Sequence, residues 1–344
     1  MSVKTRALES ARMNLGEIIF SPGTKKLIMQ AVYFAVGLIS SRGMVFGHYA
    51  PFGVAAVAAS PYHNVFATLL GALLGYLIPS EAQIPVRYVA ALLAAGAIRW
   101  TLSDLVKVKR HPLFAPFVAF APLAATGAAL SLVNGSPFGG VAMYLAEALL
   151  AGGGAYFLAR TAELVFRKNG LYALKSQEIA CVTMSIGLLV TSLSPMEIGG
   201  VSIGRILAVI MILLASRYGG ASGGAIAGIA AGVSLSLSTA GVSYLSGAYA
   251  LGGLMAGLFS PLGKLAASVA FILANGIASL QIGSQEAIIA GLYEVAFATV
   301  AFMLIPSRGG DRVSGIFVQP SDLTRADGLR RSVIMKLDYA AKAL

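Results

Sequence analysis

Apolar runs separated by short polar or proline- and glycine-containing connectors repeat from about residue 27 to residue 306. The pattern predicts helical spans at 27–42, 46–60, 63–79, 84–103, 112–133 and 138–166, then at 178–194, 201–216, 220–238, 244–260, 263–281 and 286–306. A full crossing takes about 20 apolar residues. The segment 46–60 is therefore expected to be a broken or re-entrant piece, since it is short and carries His48 and Pro51. Prolines at 51, 61, 79, 112, 116, 122, 137, 195 and 261 fall where such spans should end or kink.

The sharpest local pattern lies between Tyr218 and Ser238, where Gly220, Gly224, Gly228 and Gly232 recur at every fourth position. On a helix this spacing stacks them into a stripe without side chains. In water each interior glycine costs roughly 0.8–1 kcal/mol against alanine. In a bilayer the stripe admits a second backbone at close range, and packing is what holds helices together there. Gly71 and Gly75 in the third span repeat the spacing, as do Gly253 and Gly257 in the tenth. The echo fits an internal repeat of the kind transporters use, and equally the small residues of any helix interface. The expected fold is all-α: a polytopic membrane domain of about 10–12 transmembrane helices with glycine-rich packing faces.

Composition supports that class. The 344 residues are 57% hydrophobic and 11% charged, with a mean hydropathy of +0.81, whereas soluble domains carry about 25% charged residues. Cys181 is the one cysteine, so no internal disulfide forms. The N-terminus lacks the pattern of a cleaved signal.

A net charge of +11 raises nucleic acid as a partner, but the cations sit beside the apolar runs. Lys4, Arg6, Arg12, Lys25 and Lys26 precede the first span, and Arg308, Arg312, Arg325, Arg330, Arg331, Lys336 and Lys342 follow the last. That distribution points to membrane lipid as the partner and to both termini in the cytoplasm. Lys107, Lys109 and Arg110 form one basic connector, and Arg167, Lys168 and Lys175 another. Glu81, Glu197 and Glu286 mark the alternate connectors, while Arg42 and Arg87 fall on the outer side against the rule.

Three regions result: a basic cytoplasmic N-terminus (1–26), a polytopic domain (27–306), and a cytoplasmic linker leading into an amphipathic helix (307–344). In that helix Leu329, Val333, Leu337, Ala340 and Leu344 share a face. Its pattern stops at the last residue, which predicts a longer protein; a tail lying on the membrane surface is the alternative.

Ionisable groups inside spans are functional candidates by default. Glu147 and Glu294 lie in span interiors, and Arg205 lies about a turn inside an outer end. Each glutamate reads either as a proton, cation or ligand site, or as a structural carboxylate bonded to a tyrosine or arginine of a neighbouring helix. Arg99, Arg160 and Glu163 sit near cytoplasmic ends, where snorkelling accounts for them. His48 near Arg42 suggests a polar outer pocket or a kinked interfacial histidine. The histidines, His48, His63 and His111, have no ligand-spaced partners, and no phosphate-binding loop occurs. No catalytic, cofactor or metal site is expected in this chain.

Arg42-Gly43 followed by Pro51-Phe52-Gly53-Val54-Ala55 resembles the start of the membrane region of the stage II sporulation protein E family. The glycine stretch from Tyr218 to Gly232, and Gly253-Leu-Met-Ala-Gly257 with Gly263-Lys264 after it, are similar to that family's glycine-rich spans. Ser41-Arg42-Gly43 departs from the family's usual Gly-Arg order. The resemblance implies a sporulation protein whose multi-pass membrane part precedes a manganese-dependent PP2C-type serine phosphatase. That enzyme dephosphorylates an anti-anti-sigma factor to release the forespore sigma factor, and it associates with division proteins at the polar septum. It implies for this chain a membrane-anchoring and oligomerising role, as a homo-oligomer, with the phosphatase absent. A transporter or channel for a small solute or ion is the alternative reading of Glu147, Glu294 and the broken spans.

Overall fold

The computed structural model describes residues 22–78, 85–102, 105, 111–133, 135, 138–167, 174–238, 244–280 and 285–305. The basic N-terminus to residue 21, the 107–110 cations and the expected helix at 329–344 lie outside the described residues. Among the described residues the chain is helical apart from connectors and one two-residue-by-two-residue hairpin. Among the described residues four helices are long and apolar enough to cross a bilayer: Phe114–Val133, Gly140–Val165, Ile203–Ser238 and Leu245–Leu262.

The chain divides into two compact units, one of residues 1–42 and 50–155, the other of residues 43–49 and 156–344. The first unit holds α1 (Pro22–Ser40), α2 (Phe52–Ala59), α3 (Val65–Leu77), α4 (Pro85–Thr101) and α5 (Phe114–Val133). The division falls at residue 155, within α6 (Phe138–Val165). Pro22 and Pro85 open α1 and α4, where the missing N–H is not needed by the helix.

At the centre of the first unit is α2, whose eight residues are all buried. It packs against α1, α3, α4 and α5. A helix of that length rises about 12 Å, and its sequence Phe-Gly-Val-Ala-Ala-Val-Ala-Ala offers no polar face to expose. The region expected at 46–60 is thus a turn followed by a short helix. The directions of its neighbours decide its path. Gly37 of α1 lies against Thr68 and Ala72 of α3, and Gly75 of α3 lies against Leu38 and Ser41, so α1 and α3 run parallel. The chain between them must return alongside them, and it does so by way of the turn and α2, so the region is broken and not one continuous span.

The second unit contains α7 (Ser176–Leu193), a hairpin of β1 (Glu197–Ile198) and β2 (Val201–Ser202), and the 36-residue α8 (Ile203–Ser238). It continues with α9 (Leu245–Phe259), α10 (Lys264–Leu280) and α11 (Gln285–Leu304). A straight α8 would be about 54 Å long. Instead Gly204 lies against Val190 of α7 and Ser194 just after it, while Gly187 of the same helix lies against Ala230 and Ser234. Only a reversal within α8 brings both ends to one partner. It occurs at Gly220, whose φ of 63° and ψ of −155° are non-helical. The expected spans 201–216 and 220–238 are therefore separate segments, 203–219 and 221–238. Their inner faces, with Ile212, Leu213, Ala227 and Leu235, share one core with Tyr249 of α9, Phe271 of α10 and Phe302 of α11.

Because the Gly220 conformation is accessible to glycine almost alone, Gly220→Val is expected to cost about 1–3 kcal/mol. The cost should appear as a lower unfolding temperature in detergent, whereas Gly219→Ala, at a helical position, leaves that temperature nearly unchanged.

Candidate functional site

The glycines mark where backbones meet. In the first unit a Cβ on Gly71 would overlap the Phe34 carbonyl, and one on Gly37 would overlap the Thr68 carbonyl. In the second unit the contacts form a ladder between the 221–238 segment and α9. Gly224 faces Gly253, Gly228 faces the Tyr249 carbonyl, and Gly232 faces Leu245 and Ser246. Gly257 closes the far end against the Gly220 carbonyl and Ala221. These partners run in opposite directions, so the two segments are antiparallel. Ser216 Oγ adds a hydrogen bond to the Gly253 carbonyl at 3.0 Å. Gly224, Gly228 and Gly232 thus share one face, while Gly220 stands at the reversal and contributes its carbonyl.

Each unit also buries a glutamate against an arginine. In the first, Arg87 Nη2 lies 2.7 Å from Glu147 Oε2, with both side chains almost wholly inaccessible. The Arg87 guanidinium stacks over Tyr144, 4.5 Å from its centroid, and donates to the Leu123 carbonyl. Beside it Tyr76 and Tyr88 stack at 5.1 Å. Tyr76 O–H donates to the Ala50 carbonyl at 2.6 Å, and Ala50 N–H donates to Tyr88 Oη at 2.9 Å. The two rings thereby fix the peptide that leads into α2. In the second unit Arg205 Nε lies 3.1 Å from Glu294 Oε1, which also accepts from Ser202 N–H at 2.9 Å. Arg205 Nη2 lies 3.7 Å from Glu197 of the hairpin.

Four more cations answer helix C-termini. Arg42 donates to the Ile78 carbonyl at 3.0 Å, Arg99 to that of Ser60, Arg217 to that of Ser260, and Lys264 to that of Ile305. Those of Ile78, Ser60 and Ile305 are carbonyls that a helix end leaves without an internal partner, while that of Ser260 also accepts from Gly263 N–H at 3.1 Å. Arg42 and Arg87, the two cations at odds with the positive-inside pattern, thus each have an intramolecular task. His48 is exposed in the turn between Val45 and Tyr49, its N–H donating to the Val45 carbonyl at 3.3 Å.

Sequence reasoning passed over Gly37 and Gly204, each of which admits no Cβ without overlap. It also left Arg87 unassigned. A usable signal was present: Arg87 and Arg99 are twelve residues apart, as are Arg205 and Arg217. In each pair the first arginine meets a buried glutamate, and the second meets the carbonyl of a Ser-Pro dipeptide, Ser60-Pro61 or Ser260-Pro261.

Comparison with known proteins points one way. The family described as "SpoIIE, N-terminal domain" matches residues 5–314. Stage II sporulation protein E of Bacillus subtilis (strain 168) is 26% identical over 284 residues, an alignment covering 80% of this chain and 34% of that relative. The chain therefore corresponds to about a third of the relative's length. No solved structure matches it.

Two outcomes follow from the geometry. Gly228→Leu drives a side chain into the α9 backbone and should abolish the monodisperse folded peak in detergent. Gly153→Leu, where nothing lies within 4 Å, should leave that peak intact. Arg87→Met strands a buried carboxylate and is expected to cost about 3–5 kcal/mol. The double change Arg87→Met with Glu147→Leu recovers most of the loss, as read by thermal unfolding.

Proposed function

The chain belongs to the SpoIIE N-terminal domain family, and on that premise we propose that it is a membrane-anchoring and oligomerising module for a sporulation phosphatase. The match across residues 5–314 carries this reading. In it, the module holds a manganese-dependent PP2C-type serine phosphatase at the cytoplasmic face of the polar septum. There it gathers copies of itself and meets division proteins, and the phosphatase acts on an anti-anti-sigma factor to activate the forespore sigma factor.

The packing supports an anchor over a transporter. Glu147 and Glu294, the residues a transport cycle would use, are each committed to an arginine inside their own unit. The ends of the short helix α2, where a transported ion would be bound by freed backbone groups, are met by Tyr76, Tyr88 and Arg99. The glycine faces bring helices of one chain together. Self-association therefore falls to the lipid-facing surface, where large apolar side chains such as Phe66, Leu132, Leu149 and Phe297 are exposed.

Light scattering of the purified chain in detergent should give a mass above that of one 35.3 kDa protomer; a monomer at all concentrations overturns the oligomerising role. Reporter fusions at either end should be active only as cytoplasmic reporters. Proteoliposomes should show no ion or solute flux that Glu147→Gln or Glu294→Gln removes, and such a flux would establish the transporter.

A further inference from the structure

The joint between α6 and α7 carries a cleft that neither the helix packing nor the anchoring role uses. It has a volume of about 410 Å³ and lies between the last turns of α6 and the first turns of α7. Beneath it the ends of the two helices are packed together. Leu164, Leu174, Ile179 and Val182 form a small buried core, and Thr161 and Ser185 hydrogen-bond across the two helices at 2.8 Å. Glu178 accepts from Lys175 N–H at 2.8 Å, capping the start of α7. Arg167 reaches across to the same carboxylate at 3.0 Å.

The lining is divided by chemistry. Tyr156, Leu164 and Cys181 supply the apolar wall, and Arg160, Arg167 and Lys175 supply three cations against the carboxylates of Glu163 and Glu178. The Lys175 ammonium makes no ion pair among the described residues. Arg160 gives one nitrogen to Glu163 at 2.9 Å and also engages the Tyr156 side chain, so among the described residues most of its five donors are uncommitted. Val165 and Phe166, beside the cleft, are about half exposed. Cations, an apolar wall and exposed apolar neighbours thus meet at the end of a span, on the side that the positive-inside pattern places in the cytoplasm.

From this arrangement we propose that the cleft binds a phosphate ester, with the headgroup of an anionic phospholipid as the source its position favours. The phosphate sits between Arg160 and Lys175, and an acyl chain runs past Val165 and Phe166 into the bilayer. This is the basic pocket between membrane helices that recognises anionic headgroups by charge, where each nearby cation contributes about 1 kcal/mol. A free phosphate compound would satisfy the same cations without the chain.

Cys181 makes the test local, because the chain's one cysteine lines the cleft. The full chain is reconstituted in phosphatidylcholine nanodiscs with and without phosphatidylglycerol, and maleimide labelling of Cys181 is timed. Phosphatidylglycerol should slow the wild-type reaction several-fold. Arg160→Gln with Lys175→Gln leaves the Arg167–Glu178 bridge in place; its apparent affinity for phosphatidylglycerol should fall by about 30-fold, the equivalent of two cations. Lys25→Gln, a change to an exposed cation of α1, should behave as wild type. If the double variant does not fold, Lys175→Gln alone is read in the same way, with about a fivefold loss expected. Equal labelling in both lipids with inorganic phosphate also without effect, or protection that survives these substitutions, overturns the site. Inorganic phosphate that protects Cys181 in phosphatidylcholine alone, and only in the wild type, upholds the phosphate chemistry and assigns it to a soluble ester. Phosphate without effect, beside protection by phosphatidylglycerol, assigns it to the lipid.

Discussion

Lipid offers no hydrogen-bond partner, so every break in a membrane helix must be answered by the protein itself. This chain is rich in breaks, with prolines and glycines interrupting most of its apolar runs. The answer is a set of long cationic and phenolic side chains directed at backbone groups beside the breaks. Arg99 and Arg217 meet the Ser60 and Ser260 carbonyls, Lys264 meets that of Ile305, and Tyr76 with Tyr88 hold the Ala50 peptide. An unanswered peptide group would cost several kcal/mol in that medium. Short segments such as α2 persist because their ends are satisfied and their sides are enclosed by other helices.

Once the ends are met, approach distance sets the packing. Apolar side chains gain little by touching one another in lipid, since the tails are as apolar as leucine. Backbone-to-backbone contact therefore carries more of the association, and it needs positions without a Cβ. The two units use the same device in opposite senses. Gly37, Gly71 and Gly75 join the parallel pair α1 and α3, whereas Gly224, Gly228 and Gly253 join antiparallel neighbours. Glycine's low helix propensity is tolerated because a segment in hydrocarbon has no better way to satisfy its backbone.

The buried pairs Arg87–Glu147 and Arg205–Glu294 add selectivity to this packing. A pair of this kind contributes little net stability, yet a partner set apart is costly. Each pair therefore penalises arrangements in which its two helices separate. With the capped ends and the glycine contacts, the pairs describe modules held to one internal arrangement.

Much of this was legible in the order of residues. The all-α membrane class, the positions of the helices to within a few residues, the glycine face at 224–232 and two glutamates within apolar helices all follow from local periodicity and composition. These signals are local because a helix in lipid satisfies its own backbone, whatever its neighbours are. Partner choice is not local, and there the tertiary structure decided. Glu147 is met by Arg87, sixty residues earlier in the chain (87 to 147). Gly220 leaves the stripe that its spacing suggests and becomes the reversal, because the two ends of α8 must reach the same helix α7. The 46–60 region becomes a turn and a short return helix because α1 and α3 lie parallel. Which helices are neighbours depends on the mutual fit of whole surfaces, and no window along the chain contains both sides of that fit.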